Sequence, residues 1–258
     1  MTFIVGVLFV IVVWYLIAKW FNTYKYVGLA FPDPLDAFNR LWGYLNGSIL
    51  LRRTIYEHIA ASMSHWIVGF ALASIVGLLI GIALGSKEEY YQFGIVPINI
   101  IQMIPGLAWL PVTILLFGFG ENSAVFLIAI TCISPIAINV CAGIRRVPPV
   151  NLRVARMSKR SRLETLTEVL LPFATIDILN GLRIGMANAW RMLIAAEMVV
   201  GVAEGIGYAI DSTTKTIDYP AAFACIIIIC VIGLIIDKLI FVNIEKYARR
   251  KLGFEETD

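Results

Sequence analysis

The stretch IAASMSHWIVGFALASIVGLLIGIALGS, residues 59–86, holds 28 residues without a single Lys, Arg, Asp or Glu. A helix of about 20 predominantly apolar residues crosses the hydrocarbon core of a bilayer, so this stretch is long enough to span a membrane. Small residues recur in it at every fourth position, at Gly69, Ala73, Gly77, Gly81 and Gly85. Such a ridge lets a second helix approach closely, because packing drives helix association in lipid. The stretch therefore predicts a transmembrane helix that packs tightly against another.

Most of the chain shares this character. Hydrophobic residues make up 59% of the 258 residues and charged residues 15%, outside the range of ordinary soluble domains. Four more charge-free stretches cover residues 2–18, 93–120, 122–144 and 219–236, and a sixth apolar stretch, residues 170–203, carries four charges. We therefore expect an all-α, polytopic membrane protein with about six transmembrane helices.

The first stretch leads into a cluster of aromatic residues and then a second apolar pattern. Interfacial anchors, rather than a cleavable signal peptide, are indicated by Trp14, Tyr15, Trp20, Phe21, Tyr24 and Tyr26. In FPDPLDAFNRLWGYL, residues 31–45, two prolines mark a turn. After them, apolar residues recur at helical spacing, at Leu35, Phe38, Leu41, Trp42 and Leu45. We predict an N-terminal part, residues 1–58, with one transmembrane helix and an amphipathic helix on the outer surface.

The positive charges of the connections predict the orientation. With a cytoplasmic N-terminus, 13 Lys and Arg residues fall on the inner side and six on the outer side. The inner set is Lys87, the seven of residues 145–162, Lys238, Lys246, Arg249, Arg250 and Lys251. The outer set is Lys19, Lys25, Arg40, Arg52, Arg53 and Lys215. Because inner loops are enriched in Lys and Arg, we expect both termini in the cytoplasm.

The third stretch contains three prolines, Pro97, Pro105 and Pro111, with Gly94 and Gly106 among them. Proline removes a backbone donor and clashes with the preceding turn, so we predict a kinked or broken helix. Irregular backbone at membrane depth occurs only where it is buried in protein or lines a wet cavity. Two interpretations stay open, a wall of a translocation path and a purely structural kink.

The connection after the fourth stretch, residues 145–172, carries seven basic residues in its first 18 positions. Two short helices are predicted, with Asn151 capping the first and a capping box of Ser161 and Glu164 opening the second. The corner between them falls near Lys159 and Arg160, with basic residues on one side and apolar residues on the other. This shape suits docking against another protein, while a solvated loop whose charge only fixes topology is equally compatible.

The fifth helix, within residues 170–203, carries intramembrane charges that need compensation. A single Arg near mid-bilayer costs roughly 2.5 to 3.5 kcal/mol. Arg183 is expected near the inner interface, where it can snorkel. Arg183, Ala187 and Arg191 follow one another at fourfold spacing on one stripe, with Asn188 close by. Arg191 cannot pair with Glu197, which is six residues away and about 240° round the helix. The partners of Arg191 and Glu197 must lie on other helices, in a second subunit or in water. Structural pairing and a pore role both stay open for Arg191.

Several stretches together resemble the permease subunits of bacterial and archaeal ABC importers of the type I (MetI-like) fold. Within them the resemblance is to the taurine, alkanesulfonate, nitrate and bicarbonate permeases. The matching pieces are FPDP, SMSHWIVGF, QMIPGLAWLPVTILLFGFG, SPIAINVCAGIRRV, the LLP at residues 170–172, GLRIGMANAWRMLIAAEMV and GIGYAI. They cover about three quarters of the chain in the expected order. His65 departs from the family, whose members usually carry Arg there.

The resemblance implies a permease core, residues 59–258, with coupling helices at about residues 151–165 that transmit the closure of an ATPase. The family motif, Glu-Ala-Ala, three residues, then Gly, falls on Arg153, Val154 and Ala155, with Lys159 at the glycine position. Only Ala155 matches. Either the partner ATPase has a more acidic cleft, or coupling is altered. The expected coupling residues are Leu152, Arg153, Val154, Ala155, Arg156, Lys159, Ser161, Leu163 and Glu164.

The function implied by the resemblance is import of a small solute, driven by ATP and delivered by an extracytoplasmic binding protein. The expected partners are two ATPase subunits, that binding protein, a second permease copy forming a homodimer, and membrane lipid, but no nucleic acid. The chain has no G-x-x-x-x-G-K-[ST] phosphate loop, so ATP and Mg are expected in the partner ATPase, with no cofactor on this chain. With two histidines and no H-E-x-x-H pair, a metal site is not expected, and the four cysteines are interpreted as buried apolar residues.

A translocation path is predicted from the kinked third helix and the charged fifth helix, with Pro105, Pro111, Arg183, Asn188, Arg191 and Glu197 as its residues. The resemblance and the basic stripe suggest a small oxyanion such as a sulfonate, nitrate or bicarbonate. Some members of the family carry uncharged or aromatic compounds, so the substrate stays open. The alternative to an ATP-driven importer is an ATP-independent channel or secondary transporter that uses Arg191 and Glu197 as its pathway. The residues show no catalytic site, and an enzyme is not expected.

Overall fold

The computed structural model describes residues 2–23 and 30–241, together with residues 243, 244, 246 and 250. Tyr24, Lys25, Tyr26, Arg249 and Lys251, on which the expectations of anchoring and orientation partly rest, lie outside these residues. In chain order the elements are α1 (Thr2–Thr23), α2 (Pro34–Leu45), β1 (Ile49–Leu50), β2 (Arg53–Thr54), α3 (Ile55–Ser86), α4 (Glu88–Met103), a 3-10 turn (Gly106–Trp109), α5 (Leu110–Phe117), α6 (Glu121–Arg145), α7 (Pro149–Met157), α8 (Arg162–Thr165), a π-helical turn (Leu166–Leu170), α9 (Leu171–Val199), α10 (Ile206–Lys215), α11 (Tyr219–Ile235) and a second π-helical turn (Ile236–Phe241).

Five helical segments of the described chain are long and apolar enough to cross a bilayer. They are Ile4–Thr23, Ile55–Ser86, Glu121–Arg145, Arg162–Val199 and Tyr219–Leu239. A sixth crossing results if α4 and the following segment, Gly106–Phe117, count as one broken span bent by 100°. The all-α fold with about six transmembrane helices is confirmed, and so is the break in the third stretch.

The break lies between α4 and the 3-10 turn, at Pro105. Ile104 is extended, with φ −76° and ψ 120°, because the ring of a following proline disfavours the helical conformation. The other two prolines do not interrupt the helices. Pro97 lies inside α4, and Pro111 lies in the first turn of α5, where a missing amide proton costs nothing.

The described residues fall into two compact units. The first contains residues up to Ser62 and Ala203–Ile232. In it, the indole Nε1 of Trp14 donates to the carbonyl oxygen of Pro32 at 3.0 Å, and its ring contacts Phe223. A short antiparallel hairpin pairs β1 with β2. At the start of α10, Ser62 Oγ accepts the amide of Ile206 at 2.8 Å, which satisfies one of the donors that a helix N-terminus leaves open.

The predicted amphipathic helix is α2, in the first unit. One face buries Ala37 and Tyr44, and Arg40 forms an ion pair with Asp218 at 3.1 Å. The apolar stripe that predicted the helix is mostly on the other face, and the exposed side chains are Leu35, Phe38, Trp42 and Leu45. An exposed apolar stripe is what an interfacial helix presents to lipid, although the position of α2 on the membrane stays a prediction.

The second unit contains Met63–Val202 and the described residues from Gly233 onward. Its centre is α6, most of which is buried. The small residues of α3 lie directly against this helix: a Cβ added at Gly69, Gly77, Gly81 or Gly85 would approach a branched side chain of α6 to between 2.6 and 2.9 Å. The close helix contact predicted from the fourfold ridge is confirmed, and α6 is the partner.

Close packing also joins α6 to α9 on another face. Gly143 of α6 lies against Asp177 and Ala174, while Gly181 and Gly185 of α9 lie against Asn139 and Ile136. The thiol of Cys132 donates to the carbonyl oxygen of Gly185 at 3.1 Å. Glycines thus bring α3 and α9 close to α6, and α6 and α9 form two walls of the site described next.

Candidate functional site

A cavity of about 420 Å³ opens beside the break that follows α4. The break forms one wall, and α6 and α9 form the others. Its lining residues are Ile101, Gln102, Ile104, Pro105, Gly106, Leu107, Thr131, Pro135, Asn188, Arg191 and Met192. Gly106 permits this arrangement, because a Cβ there would lie 2.5 Å from Cγ2 of Thr131 and 2.6 Å from Sδ of Met192. The interpretation of the broken helix as a cavity wall fits this geometry.

Arg191 is the one charged side chain among these lining residues, all of which lie in the described part of the chain. It is exposed, and its Nε donates to the carbonyl oxygen of Ala187 at 3.1 Å. The hydroxyl of Thr131 donates to Leu127 within its own helix. The amides of Gln102 and Asn188 add hydrogen-bonding groups to the lining. A guanidinium with amides beside it suits an anion whose oxygens accept several hydrogen bonds.

The structure gathers half of the six predicted path residues at this cavity. Pro105, Asn188 and Arg191 line it. Pro111 is exposed at the start of α5 and is not among the lining residues. Arg183 and Glu197 lie on α9 outside the lining set. The sequence reading missed Gln102 and Thr131, although Gln102, a polar residue three positions before Pro105 in a charge-free stretch, is a usable signal.

Arg183 has an ion-pair partner in the second π-helical turn, Ile236–Phe241. Its Nη2 and Nε lie 2.9 and 3.1 Å from Oδ1 of Asp237. Both side chains are about one third exposed, so the charge is compensated within the chain. The sequence reading expected Arg183 to snorkel and did not identify Asp237, because residues 54 positions apart give no periodic signal.

Glu197 is buried and paired with His65 of α3. The carboxylate is 1% exposed and the imidazole 5% exposed, and Nδ1 of His65 lies 2.9 Å from Oε1 of Glu197. On the other side of the ring, Nε2 lies 4.0 Å from a carboxylate oxygen of the exposed Glu121, at the start of α6. The expectation that Glu197 finds a partner on another helix fits this contact, which joins α3 to α9.

The connection after α6 forms an elbow, residues 149–165, made of α7, a corner and α8. Asn151 is not the N-cap that the sequence predicted, because α7 already begins at Pro149, with Pro148 before it. Proline suits the first helical position, since its missing amide proton would have no partner there. The capping box is confirmed: Ser161 N donates to Glu164 Oε2 at 2.6 Å, and Glu164 N donates to Ser161 Oγ at 3.2 Å.

The predicted corner is also confirmed, with Lys159 at its turn. Lys159 has a φ of 52°, in the left-handed region, and the amide of Arg160 donates to Ala155 O at 3.2 Å. Arg160 forms an ion pair with Glu168. The second helix differs from the prediction, because α8 runs through the π-helical turn into α9 as one segment, Arg162–Val199. The wide turn accommodates Pro172, which cannot donate to the preceding turn.

The nine predicted coupling residues all lie on this elbow. Ala155 is buried and Leu152 is half-buried, so these two hold α7 against the chain. The exposed ones are Arg153, Val154, Arg156, Lys159, Ser161, Leu163 and Glu164. The elbow thus presents basic and apolar side chains together, and a coupling role for it stays a prediction.

Comparisons with known proteins fit this geometry. The model of the family described as "Binding-protein-dependent transport system inner membrane component" matches residues 73–246. The taurine transport system permease protein TauC of Escherichia coli K12 is 30% identical over 209 residues, covering 81% of this chain and 76% of TauC. The nitrate import permease protein NrtB of a Synechocystis strain is 36% identical over 183 residues, covering 70% of this chain and 66% of NrtB.

Solved structures show the same fold. A structure of the MetNI methionine ABC transporter in an inward-facing conformation aligns with a TM-score of 0.65 at 18% sequence identity. The alignment covers 75% of this chain and 95% of that one. The expected MetI-like permease fold is therefore confirmed.

Proposed function

The chain belongs to the family of binding-protein-dependent transport system inner membrane components, and on that premise we propose that this ABC permease subunit imports a small oxyanion, driven by ATP hydrolysis in partner subunits. The observation that carries the choice of cargo is the single guanidinium, Arg191, in a cavity beside a broken helix. The relatives' names, which give taurine and nitrate as cargo, point to the same class of solute.

The cavity is suited to admit such an anion for a short time. Arg191 supplies one positive charge, and Gln102 and Asn188 supply neutral donors at the same cavity. One exposed cation binds an anion weakly enough to release it, as transport requires. Small oxyanions such as a sulfonate, nitrate or bicarbonate fit the volume of about 420 Å³.

The driving force would come from outside this chain. We assign ATP and Mg to two ATPase subunits on the inner side, and delivery of the cargo to an extracytoplasmic binding protein. Two copies of this chain would form the permease in the cytoplasmic membrane of a bacterium or archaeon, with both termini inside. Closure of the ATPases would push on the elbow and tilt the broken helix and α9, a two-state element biased by nucleotide.

The test is uptake into proteoliposomes that contain the permease with its ATPase, with the binding protein outside. We expect uptake of labelled taurine, nitrate or bicarbonate that requires ATP on the ATPase side and the binding protein. Uptake that persists without ATP would instead support a channel or secondary transporter. Uptake of neutral solutes alone would overturn the choice of an oxyanion.

Substitutions at Arg191 test the cavity within the same assay. Arg191→Gln removes the charge, and we expect at least a tenfold lower transport rate; Arg191→Lys keeps the charge but loses the planar fork, and we expect an intermediate rate. Met192→Leu is the matched control, because it changes a neighbouring lining residue to another apolar side chain of similar volume and alters no charge. Equal rates for wild type and Arg191→Gln would remove Arg191 from the path.

A further inference from the structure

The elbow exposes both large apolar and basic side chains. Val154, Met157 and Leu163 are 56%, 83% and 69% exposed. Arg153, Arg156 and Lys159 are exposed on the same elbow. We call these six residues the elbow surface. Large apolar side chains that project among charges typically mark a protein interaction site, with the apolar part as its centre and the charges as its rim.

Lys159 gives a second, independent sign that this surface is used. It adopts a φ of 52°, a conformation that glycine takes without cost and that costs other residues about 1 kcal/mol. A residue held there suggests that its side chain has a role that glycine would not fill. The side chain available at this turn is a flexible ammonium group on the exposed corner of the elbow.

The charges of the elbow surface differ from the neighbouring charges that serve the fold. Arg160 is paired with Glu168, Arg146 with Asp177 and Arg145 with Glu88. The first pair holds the corner against the π-helical turn that follows α8, and the other two tie the end of α6 to α9 and α4. Arg153, Arg156 and Lys159 are exposed, whereas Ala155 of α7 is buried. If basic residues here only fixed the orientation of the chain in the membrane, they could lie anywhere in this connection.

We propose that the elbow surface selects its ATPase partner by charge, binding a cleft with an apolar floor and a rim of carboxylates. This inference rests on the proposed function and adds the character of the partner's surface. Val154, Met157 and Leu163 would fill the floor, while Arg153, Arg156 and Lys159 would face the rim. An ATPase with a basic cleft would be rejected, because like charges facing each other oppose association.

The experiment measures binding of the ATPase to the permease held in nanodiscs of neutral lipid. We expect Arg153→Glu combined with Arg156→Glu to weaken the apparent affinity at least tenfold and to reduce its dependence on salt. The matched control is Lys87→Glu with Lys238→Glu, which changes the net charge equally at two exposed sites outside the elbow. Affinity unchanged by the elbow pair, or lowered equally by the control, would overturn the proposal.

The variant Lys159→Gly tests whether the lysine side chain contributes to ATPase binding. Glycine relieves the left-handed conformation, so the variant should unfold at the same or a higher temperature than wild type. The proposal nevertheless expects it to bind the ATPase several-fold more weakly. Equal or tighter binding by this variant would show that the lysine contributes no contact.

Three further outcomes decide between explanations. If the ATPase binds only when anionic lipid is added to the nanodiscs, the elbow surface binds lipid headgroups and the proposal fails. If the elbow variants bind normally and still transport with ATP, the charge inference fails while the proposed function stands. If wild-type uptake needs no ATP at all, the proposed function itself fails. These outcomes are distinguishable because binding and uptake are measured separately.

Discussion

Among single residues, His65 and Glu197 have two roles: they form a buried polar pair, and they connect two helices. A buried carboxylate is costly unless it is paired, and the two side chains lie 2.9 Å apart with almost no exposure. The pair joins α3 to α9, and Arg191 lies six residues before Glu197 on the same helix. The position of the cavity wall therefore depends on a contact that does not itself line the cavity.

We predict that His65→Ala lowers the free energy of unfolding by about 3 kcal/mol, because it removes a close partner of a buried charge. If the penalty comes from that charge, His65→Ala combined with Glu197→Gln should recover part of the loss. The measurement is the unfolding midpoint of the purified protein in detergent for both single variants and the double variant. Losses that simply add would contradict this account.

At the scale of elements, the ridge of α3 sets how closely α6 can approach. A Cβ at Gly81 would lie 2.6 Å from Cβ of Val140 and 2.7 Å from the carbonyl oxygen of Ala137. The backbone oxygen cannot turn aside as a side chain can. The two helices must therefore separate to admit even one methyl group.

We predict that Gly81→Ala destabilises the protein by about 1 to 3 kcal/mol, the usual cost of overpacking a core. Gly6→Ala, on α1, is the matched control, because nothing lies within 4 Å of the Cβ it would add. Unfolding midpoints of the two variants and the wild type give the comparison. A midpoint unchanged in Gly81→Ala would mean that the helices pack less tightly than the structure shows.

Elements were predictable from the sequence where one local pattern decides them. The long apolar runs marked the spans, the ridge of α3 marked a close helix contact, and Ser161 with Glu164 marked a helix start. Asn151 failed as a cap because a neighbouring proline can start the helix earlier. Local patterns that compete are decided by small differences in free energy, which the sequence does not display.

Contacts between distant residues were not predictable in the same way. The partners of Arg183 and Glu197, and the residues that join Arg191 at the cavity, come from helices far apart in the sequence. The charged residues within the fifth helix showed that partner side chains were needed, but the sequence could not identify those partners. Periodicity reports which face of a helix is buried, and it does not report what lies against that face.

At the scale of the whole molecule, the elbow can meet an ATPase only if it faces the cell interior. The 13 basic residues against six predict this orientation, and the elbow contributes five residues to the larger set. The exposed apolar stripe of α2 is expected on the opposite side, where Trp42 would lie in the lipid interface.

We predict that a membrane-impermeant maleimide labels Lys159→Cys only in inside-out vesicles and Arg52→Cys, at a polar position of the predicted outer set, only in right-side-out vesicles. The background should lack Cys132, Cys141, Cys225 and Cys230, with alanine at the buried positions so that no polar group replaces a buried thiol. Both sites are exposed, so labelling reports sidedness and not burial. The reverse pattern would put the elbow outside the cell, where no cytoplasmic ATPase can reach it, and both proposals would then fail together.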